Sequence, residues 1–341
     1  MLRAAVVIAA VAAAVVPLNP VRIERWYSTG FYPRLQAIVT TITNGIPISL
    51  LDVAVGIGIV AAALVIRRRV TTLGPGRALL KTGLSLLFVT AGVYLTFLLM
   101  WGLNYRRLPL DRKLPYDKSA VTRSAAVALA GKAAEAMNAG YADAHGVRWD
   151  PRTLEAPFDR VQRLLGATRG AVPGIPKRSL LSFYFRRAAI DGMTDPFFLE
   201  IIVNRDLLDI ERPFVIAHEW AHLAGYADES EANFVAWVTC LGGDPLARYS
   251  GWVSAYEYAM RPLTPVEQRG ATGLAEGPRG DLRAMAARYA RSSPTVREAA
   301  NGVYDGYLRA NRVEEGIGSY EAVLRLMLGA RLGPEWTAGV Q

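Results

Sequence analysis

Pro213-Phe-Val-Ile-Ala-His-Glu-Trp-Ala-His-Leu-Ala-Gly225, followed by Glu229-Ser-Glu-Ala-Asn233, is the stretch on which the reading of this chain turns. His218, Glu219 and His222 spell H-E-x-x-H. On a helix, residues four apart share a face, so both imidazoles reach one metal ion, and Glu219, one step round, meets a metal-bound water without being a ligand. That is the working end of a zinc hydrolase. Pro213 suits a first helical position, where its missing N–H costs nothing. Gly225 falls where a left-handed residue ends a helix, and a second helix is expected to begin near Asp228. A chance match on an ordinary amphipathic helix is the alternative. The chain has three histidines, however, and two of them lie in the motif with a carboxylate-rich helix start just beyond.

Zinc takes a third protein ligand and leaves a fourth position to water. Glu229, seven residues after His222, is the favoured candidate, with Asn233 four further on along the same face. Asp228 fits a rival template, H-E-x-x-H-x-x-G-x-x-D. Glu231, two residues from Glu229, points elsewhere. The Glu229-x-x-Ala-Asn233 pattern resembles the E-x-x-A-D/N element of gluzincin peptidases such as the CAAX prenyl endopeptidases. That resemblance implies that Glu229 binds zinc and that Asn233 braces a histidine. This chain departs from it in its short gap between His222 and Glu229, and in carrying Asn where Asp is common.

The 341 residues suffice for two modest domains. They are 52% hydrophobic, with mean hydropathy +0.18, and the excess sits in the first hundred residues. Three apolar runs are read as membrane helices at about 4–19, 46–66 and 82–102. The first is short and also suits a signal-peptide core, but Pro17 and Pro20 follow without a clean cleavage site, which favours an uncleaved helix. Residues 20–45 mix Trp26, Tyr27 and Tyr32 with Arg22, Arg25 and Arg34, as an interfacial segment does; a polar loop with a short helix is the alternative. The net charge of +9 comes largely from arginines beside these runs. It speaks for topology and lipid headgroups rather than nucleic acid, for which no recognition module appears. Arg67, Arg68, Arg69, Arg77 and Lys81, between the second and third runs, place that turn in the cytoplasm and residue 103 onward outside. The single cysteine, Cys240, forms no internal disulfide and reads as a small core residue.

From residue 111 the composition is that of a globular unit. Helices are expected over 119–140, 231–242 and 246–261, from the capping box Thr264-Pro-Val-Glu267, from Ser293-Pro294 to about Asn311, and over 319–328. Phe197 to Val203 is the best strand, after turn breaks at Asp191-Gly192 and Asp195-Pro196. It is either an edge that binds substrate by strand addition or a plain packing strand. The fold class is therefore mainly α: three N-terminal membrane helices within 1–110, then a mostly helical zincin-like domain over 111–341 with a small sheet or edge strand. Arg205, Asp206, Asp209, Glu211 and Arg212 crowd the start of the motif helix, so the metal site is not intramembrane.

With these pieces placed, the chain resembles a family of uncharacterised bacterial membrane proteins known only as a domain of unknown function, with about three membrane helices and an H-E-x-x-H domain. The residues that carry the likeness are Glu24-Arg-Trp-Tyr-Ser-Thr-Gly-Phe-Tyr-Pro33, Ile46-Pro-Ile-Ser-Leu50, Trp101-Gly-Leu-Asn-Tyr105, Asp195-Pro-Phe-Phe-Leu-Glu200, His218 to Phe234 and Gly316-Ile-Gly-Ser-Tyr320. The resemblance implies a metallopeptidase-like protein anchored in the bacterial inner membrane and carries no substrate with it.

The expected activity is hydrolysis of a protein or peptide by a zinc-activated water. His218, His222 and Glu229 would hold Zn2+, Glu219 would act as general base, and Tyr226, Tyr256 or His145 would steady the oxyanion. The alternative is a membrane-anchored sensor or scaffold whose zinc is structural. A transporter subunit has little support, because Asp52 is the one charge within the apolar runs.

Overall fold

The computed structural model describes residues 1–146, 148–271, 273–311 and 320–332. It is mainly helical, with one two-stranded sheet among the described residues. Of the stretches quoted above, Gly316 to Ser319 lie outside the described residues, as does the start of the helix expected at 319; the helix found there is Tyr320–Gly329.

Two helices are long and apolar enough to cross a membrane: Leu50–Leu73 and Pro75–Met100. Ser49 caps the first, accepting from the Asp52 N–H at 3.2 Å, and Gly74, at φ 74°, makes the turn between the two. The basic residues expected in a loop there are helical instead. Arg67, Arg68 and Arg69 end the first helix, and Arg77 and Lys81 begin the second. Arginine is a good helix former with a long stem, so the helix runs on past the apolar core; Arg67 and Arg68 are exposed, while Arg69 turns to the second helix and donates to Lys81 O at 3.0 Å and Ser85 Oγ at 2.8 Å. Neither helix buries a face along most of its length.

The third span is not found as a single helix. Leu2–Val15 has 14 residues, which at about 1.5 Å each is only ~21 Å. It breaks at Pro17 and restarts at Pro20, where the Asn19 side chain caps the new turn. The chain bends by 115° between Leu2–Val15 and Pro20–Asn44, and only that bent pair, counted as one, would make three spans.

Residues 20–44 are helical throughout: Pro20–Ile23, a π-helix over Glu24–Phe31, then Tyr32–Asn44. This segment is not merely interfacial. Tyr27, Ser28, Tyr32, Gln36, Thr40 and Thr43 are buried. The Tyr32 hydroxyl donates to Leu223 O at 2.8 Å, Gln36 Nε2 to Val172 O at 2.9 Å and the Thr40 hydroxyl to Leu199 O at 2.8 Å. One polar face of the segment thus satisfies backbone carbonyls at the end of the motif helix, at Val172 and at Leu199, while Ile38 and Ile42 face out.

The rest is a helical body with one continuous core, which also takes in Tyr27, Tyr32, Phe97, Leu98 and Trp101. The alanine-rich helix Arg123–His145, capped by Thr122, packs along Pro245–Met260; small residues at its four-residue steps let the two backbones approach. The motif helix Arg212–Leu223 packs on Glu229–Leu241, and that helix on Pro245–Met260. Trp220, buried against Phe158, donates Nε1–H to Gly174 O at 2.8 Å. The capping box closes reciprocally: Thr264 N–H donates to Glu267 Oε2 at 2.7 Å, and Glu267 N–H to Thr264 Oγ1 at 3.4 Å.

Strand β1, Gly192–Asp195, pairs antiparallel with β2, Glu200–Val203, Gly192 opposite Val203 and Asp195 opposite Glu200. The expected strand is therefore shorter by three residues. Asp195 accepts the N–H groups of Phe197 and Phe198 at 3.0 and 3.1 Å, which folds Pro196–Leu199 into the hairpin turn, with Leu199 at φ 49°. Gly192, read as a turn, is in the strand. β2 is buried throughout and cannot be a free edge: Lys177 N–H donates to Ile201 O at 2.8 Å on its far side.

Candidate metal centre

The helix that carries H-E-x-x-H runs Arg212–Leu223 with Pro213 in its first turn. It ends as the glycine predicts. Gly225 takes φ 86°, its N–H donates to His222 O, and the Tyr226 N–H closes back on Ala221 O at 3.0 Å. This turn brings the Tyr226 carbonyl to His222 Nδ1 at 2.7 Å, leaving Nε2 to face the next helix. That helix, Glu229–Leu241, begins at once, with Asp228 as its N-cap.

Glu229 comes to both histidines. Its Oε2 is 3.3 Å from His218 Nε2 and its Oε1 is 3.5 Å from His222 Nε2. One donor atom from each of the three residues falls within 4.8 Å of the others, the only such grouping of three among the described residues. The imidazole rings stand edge to face with centroids 4.5 Å apart. Burial favours a neutral Glu229, but the two imidazoles outweigh it and hold the carboxyl well below its usual range. Burial likewise disfavours the charged form of His222, yet Glu229 beside it raises its pKa to about 9. Without metal the cluster is a compact ion pair.

The competing carboxylates are engaged elsewhere. Asp228 Oδ1 caps its helix, accepting from the Ser230 N–H at 2.8 Å and the Glu231 N–H at 3.3 Å. Glu231 is buried and accepts the Leu110 N–H at 2.6 Å; burial, with Asp228 near, raises its pKa to about 7. Asn233 forms no hydrogen bond with either imidazole among the described residues. The bracing expected of it comes, for His222, from the Tyr226 carbonyl, and His218 Nδ1 is buried without a partner.

Glu219 lies beside the cluster, buried, its pKa raised by burial. Its carboxylate is held by β1. The Thr194 hydroxyl lies 2.8 Å from Oε2 and 3.0 Å from Glu219 O. Oε1 presses against Gly192, where a Cβ would stand only 2.5 Å away. Glycine is needed at 192 for this approach.

None of the three expected oxyanion donors brings its side-chain donor into contact with the cluster; Tyr226 meets it only through its backbone carbonyl. His145 lies against Tyr141 O and Asp281, Tyr226 lies under the Arg107 guanidinium, and Tyr256 is buried in the Pro245–Met260 helix. The phenol at the site is Tyr304, which donates to Glu229 Oε1. Burial, then Glu229, raises its pKa far above the ordinary value. Tyr304 lies on Pro294–Ala310 and stacks on Tyr307, which meets Tyr105 edge to face at 5.9 Å. Trp101, directly after the helix Pro75–Met100, donates Nε1–H to His222 O at 2.8 Å.

A second polar cluster stands behind the Gly225 turn. Glu24 of the π-helix pairs with Arg107 and Lys113, each at 2.9 Å. Arg107 also donates to Gly225 O at 2.8 Å and lies 4.8 Å over the Tyr226 ring. Despite its burial, Glu24 is held below its usual pKa by these cations.

The model of a family described as a protein of unknown function (DUF3810) matches residues 27–328. No curated protein and no solved structure matches the chain.

Proposed function

The chain belongs to that family of unknown function (DUF3810), and we propose that it is a membrane-anchored zinc-dependent peptidase. The observation that carries the reading is the junction of Glu229 with both motif imidazoles beside a separately held Glu219. Two imidazole nitrogens and one carboxylate are the donor set of a catalytic zinc site, three protein ligands with a position left for water. When bound, zinc lowers the pKa of its water toward neutrality and polarises a carbonyl. Every other part belongs to the chain. Glu219, kept basic by burial and fixed by Thr194, takes a proton at Oε1 and passes it to the leaving amine. Tyr304, next to Glu229, donates to the developing oxyanion. The backbone of β1 supports a peptide as substrate. Asn204 N–H bonds Asp191 O at 2.8 Å, and the alternation of the ladder turns the backbone groups of Gly192 and Thr194 away from β2, beside Glu219. The basic residues on the two helix ends that meet at Gly74 favour an extracytoplasmic position for the metal unit.

The test is metal content and cleavage of an unfolded protein by the purified full chain, wild type against Glu219→Gln. Zinc in both and cleavage in the wild type alone is the expected result; equal cleavage removes Glu219 as base. A second reading, a structural site in a sensor or scaffold, is favoured by the Tyr304 contact, since a phenol against Glu229 can fill the open position. It predicts four protein ligands and no cleavage.

A further inference from the structure

The end of the helical hairpin opposite Gly74 carries an apolar surface that the helical body leaves bare. Asp52, in the first turn of the first span, accepts the Ser179 hydroxyl at 2.8 Å and the Leu180 N–H at 2.7 Å. Glu200 of β2 accepts the Ser49 hydroxyl at 2.9 Å and the Leu51 N–H at 3.2 Å. These bonds fix residue 180 at the level where the span begins. Leu180 is 86% exposed and Phe183 64%. Phe183 and Tyr184 lie on the outer side of the short helix Ser182–Ala188, whose Phe185 and Ala188 are buried instead. Ile175, Ile48 and Ile42 continue the exposed rim. Their order is set by the Ile175 N–H donating to Asn44 Oδ1 at 2.8 Å and by a bridge between Ile48 and Arg178. Arginines punctuate it: Arg178 and Arg187 are exposed, and the Arg187 guanidinium lies 5.6 Å from the Phe183 ring centroid.

We infer that this rim, from Ile175 to Arg187 with Ile42 and Ile48, is a membrane-docking surface that rests in the boundary between lipid headgroups and acyl chains. Large apolar chains interleaved with arginine suit that boundary, the rings and aliphatic groups dipping inward and the guanidinium groups staying with the headgroups. A contiguous bare patch of this kind calls for a partner. The bilayer is that partner because the rim is continuous with the first turn of a span whose surface is itself exposed and apolar, and the Asp52 bonds hold it at that depth. The inference rests on the membrane reading of the two spans and stands apart from the metal. It has a consequence for the site all the same. Ser293 N–H donates to Arg187 O at 2.9 Å, and the helix that starts there carries Tyr304 to Glu229. One helix therefore separates the docked surface from the metal cluster.

The test uses the full chain in phosphatidylcholine vesicles, with the buried native Cys240 replaced by alanine. A nitroxide is placed on Leu180→Cys, on Phe183→Cys and, as the aqueous reference, on Arg152→Cys, whose native side chain is 80% exposed in an ion pair with Asp150. Tyr184→Cys stands in where either rim variant fails to fold. Collisions with oxygen and with a water-soluble nickel chelate are measured at each label. At the rim, oxygen collisions are expected to match or exceed those at 152 while nickel collisions fall several-fold. Free access of nickel at 180 and 183 overturns the inference. So does loss of both collisions, which would mean that protein, such as a second copy of the chain, covers the rim.

Discussion

Replacing Gly192 with alanine tests whether β1 sets the position of the base. The new methyl would stand 2.5 Å from Glu219 Oε1 and 3.0 Å from its Cδ and Cγ. Non-bonded carbon contacts settle near 3.5–4.0 Å, so the carboxylate must retreat by about 1 Å. It cannot retreat freely, because its other oxygen is held by Thr194 and the side chain is buried. A misplacement of ~1 Å at a reacting group costs about 10²-fold in rate, or ~2.7 kcal/mol of barrier. The same crowding should destabilise the fold by about 1–3 kcal/mol. His218, His222 and Glu229 are untouched, so zinc stoichiometry should hold. The assay is turnover of an unfolded protein substrate by Gly192→Ala and wild type, with bound zinc and the unfolding midpoint measured on the same samples. The expected pattern is zinc retained, the midpoint lowered and kcat down by about two orders of magnitude. Wild-type kcat in a folded, zinc-loaded Gly192→Ala enzyme would refute the reasoning.

Zinc binding should release a proton at neutral pH. Glu229 holds His222 at a pKa of about 9 in the metal-free cluster, so a bound metal must displace that proton; titration calorimetry in buffers of different ionisation enthalpy reads it. The raised pKa also fixes the sign of a stability effect. The stabilising charge on His222 is fully present below its unfolded pKa and is lost as pH rises through about 9, so the metal-free unfolding midpoint should fall between pH 7 and pH 9.5. Asp228→Ala should keep its zinc and lose about 1 kcal/mol as the helix loses its cap, whereas Glu229→Ala should lose the metal; metal analysis and denaturant midpoints separate the two. Arg107→Met should cost on the order of 3 kcal/mol, because it strips Glu24 of one of its two cations and Gly225 O of a donor, and equilibrium denaturation in detergent measures it.

The residues of the His218–His222–Glu229 cluster lie close together in the chain, and that is why the sequence brings them into view. His218 and His222 are one helical turn apart, Gly225 makes a local turn, and Glu229 opens the next helix. The Thr264–Glu267 capping box is legible for the same reason, since its partners lie three residues apart. Tyr304 was not visible: it reaches Glu229 from 75 residues downstream, and nothing in Val303-Tyr304-Asp305 announces a partner. Thr194 and Gly192 were hidden by a strand too short to read, broken by the turn that Asp195 builds. The spacing of Glu231 turns it away from Glu229, but nothing local reveals its partner, the N–H of Leu110, 121 residues upstream. The first apolar run had a span's composition, but Pro17 and Pro20 cut its helix to 14 residues.

The X-ray absorption spectrum of zinc in the purified full chain tests the central claim most directly. The account predicts one zinc per chain, with scattering from two imidazole nitrogens at about 2.0–2.1 Å and from oxygens of one carboxylate and one water at about 2.0–2.2 Å. It also predicts that Glu219→Gln leaves this shell unchanged. A chain that binds no zinc, or a shell closed by a fourth protein donor, would contradict it.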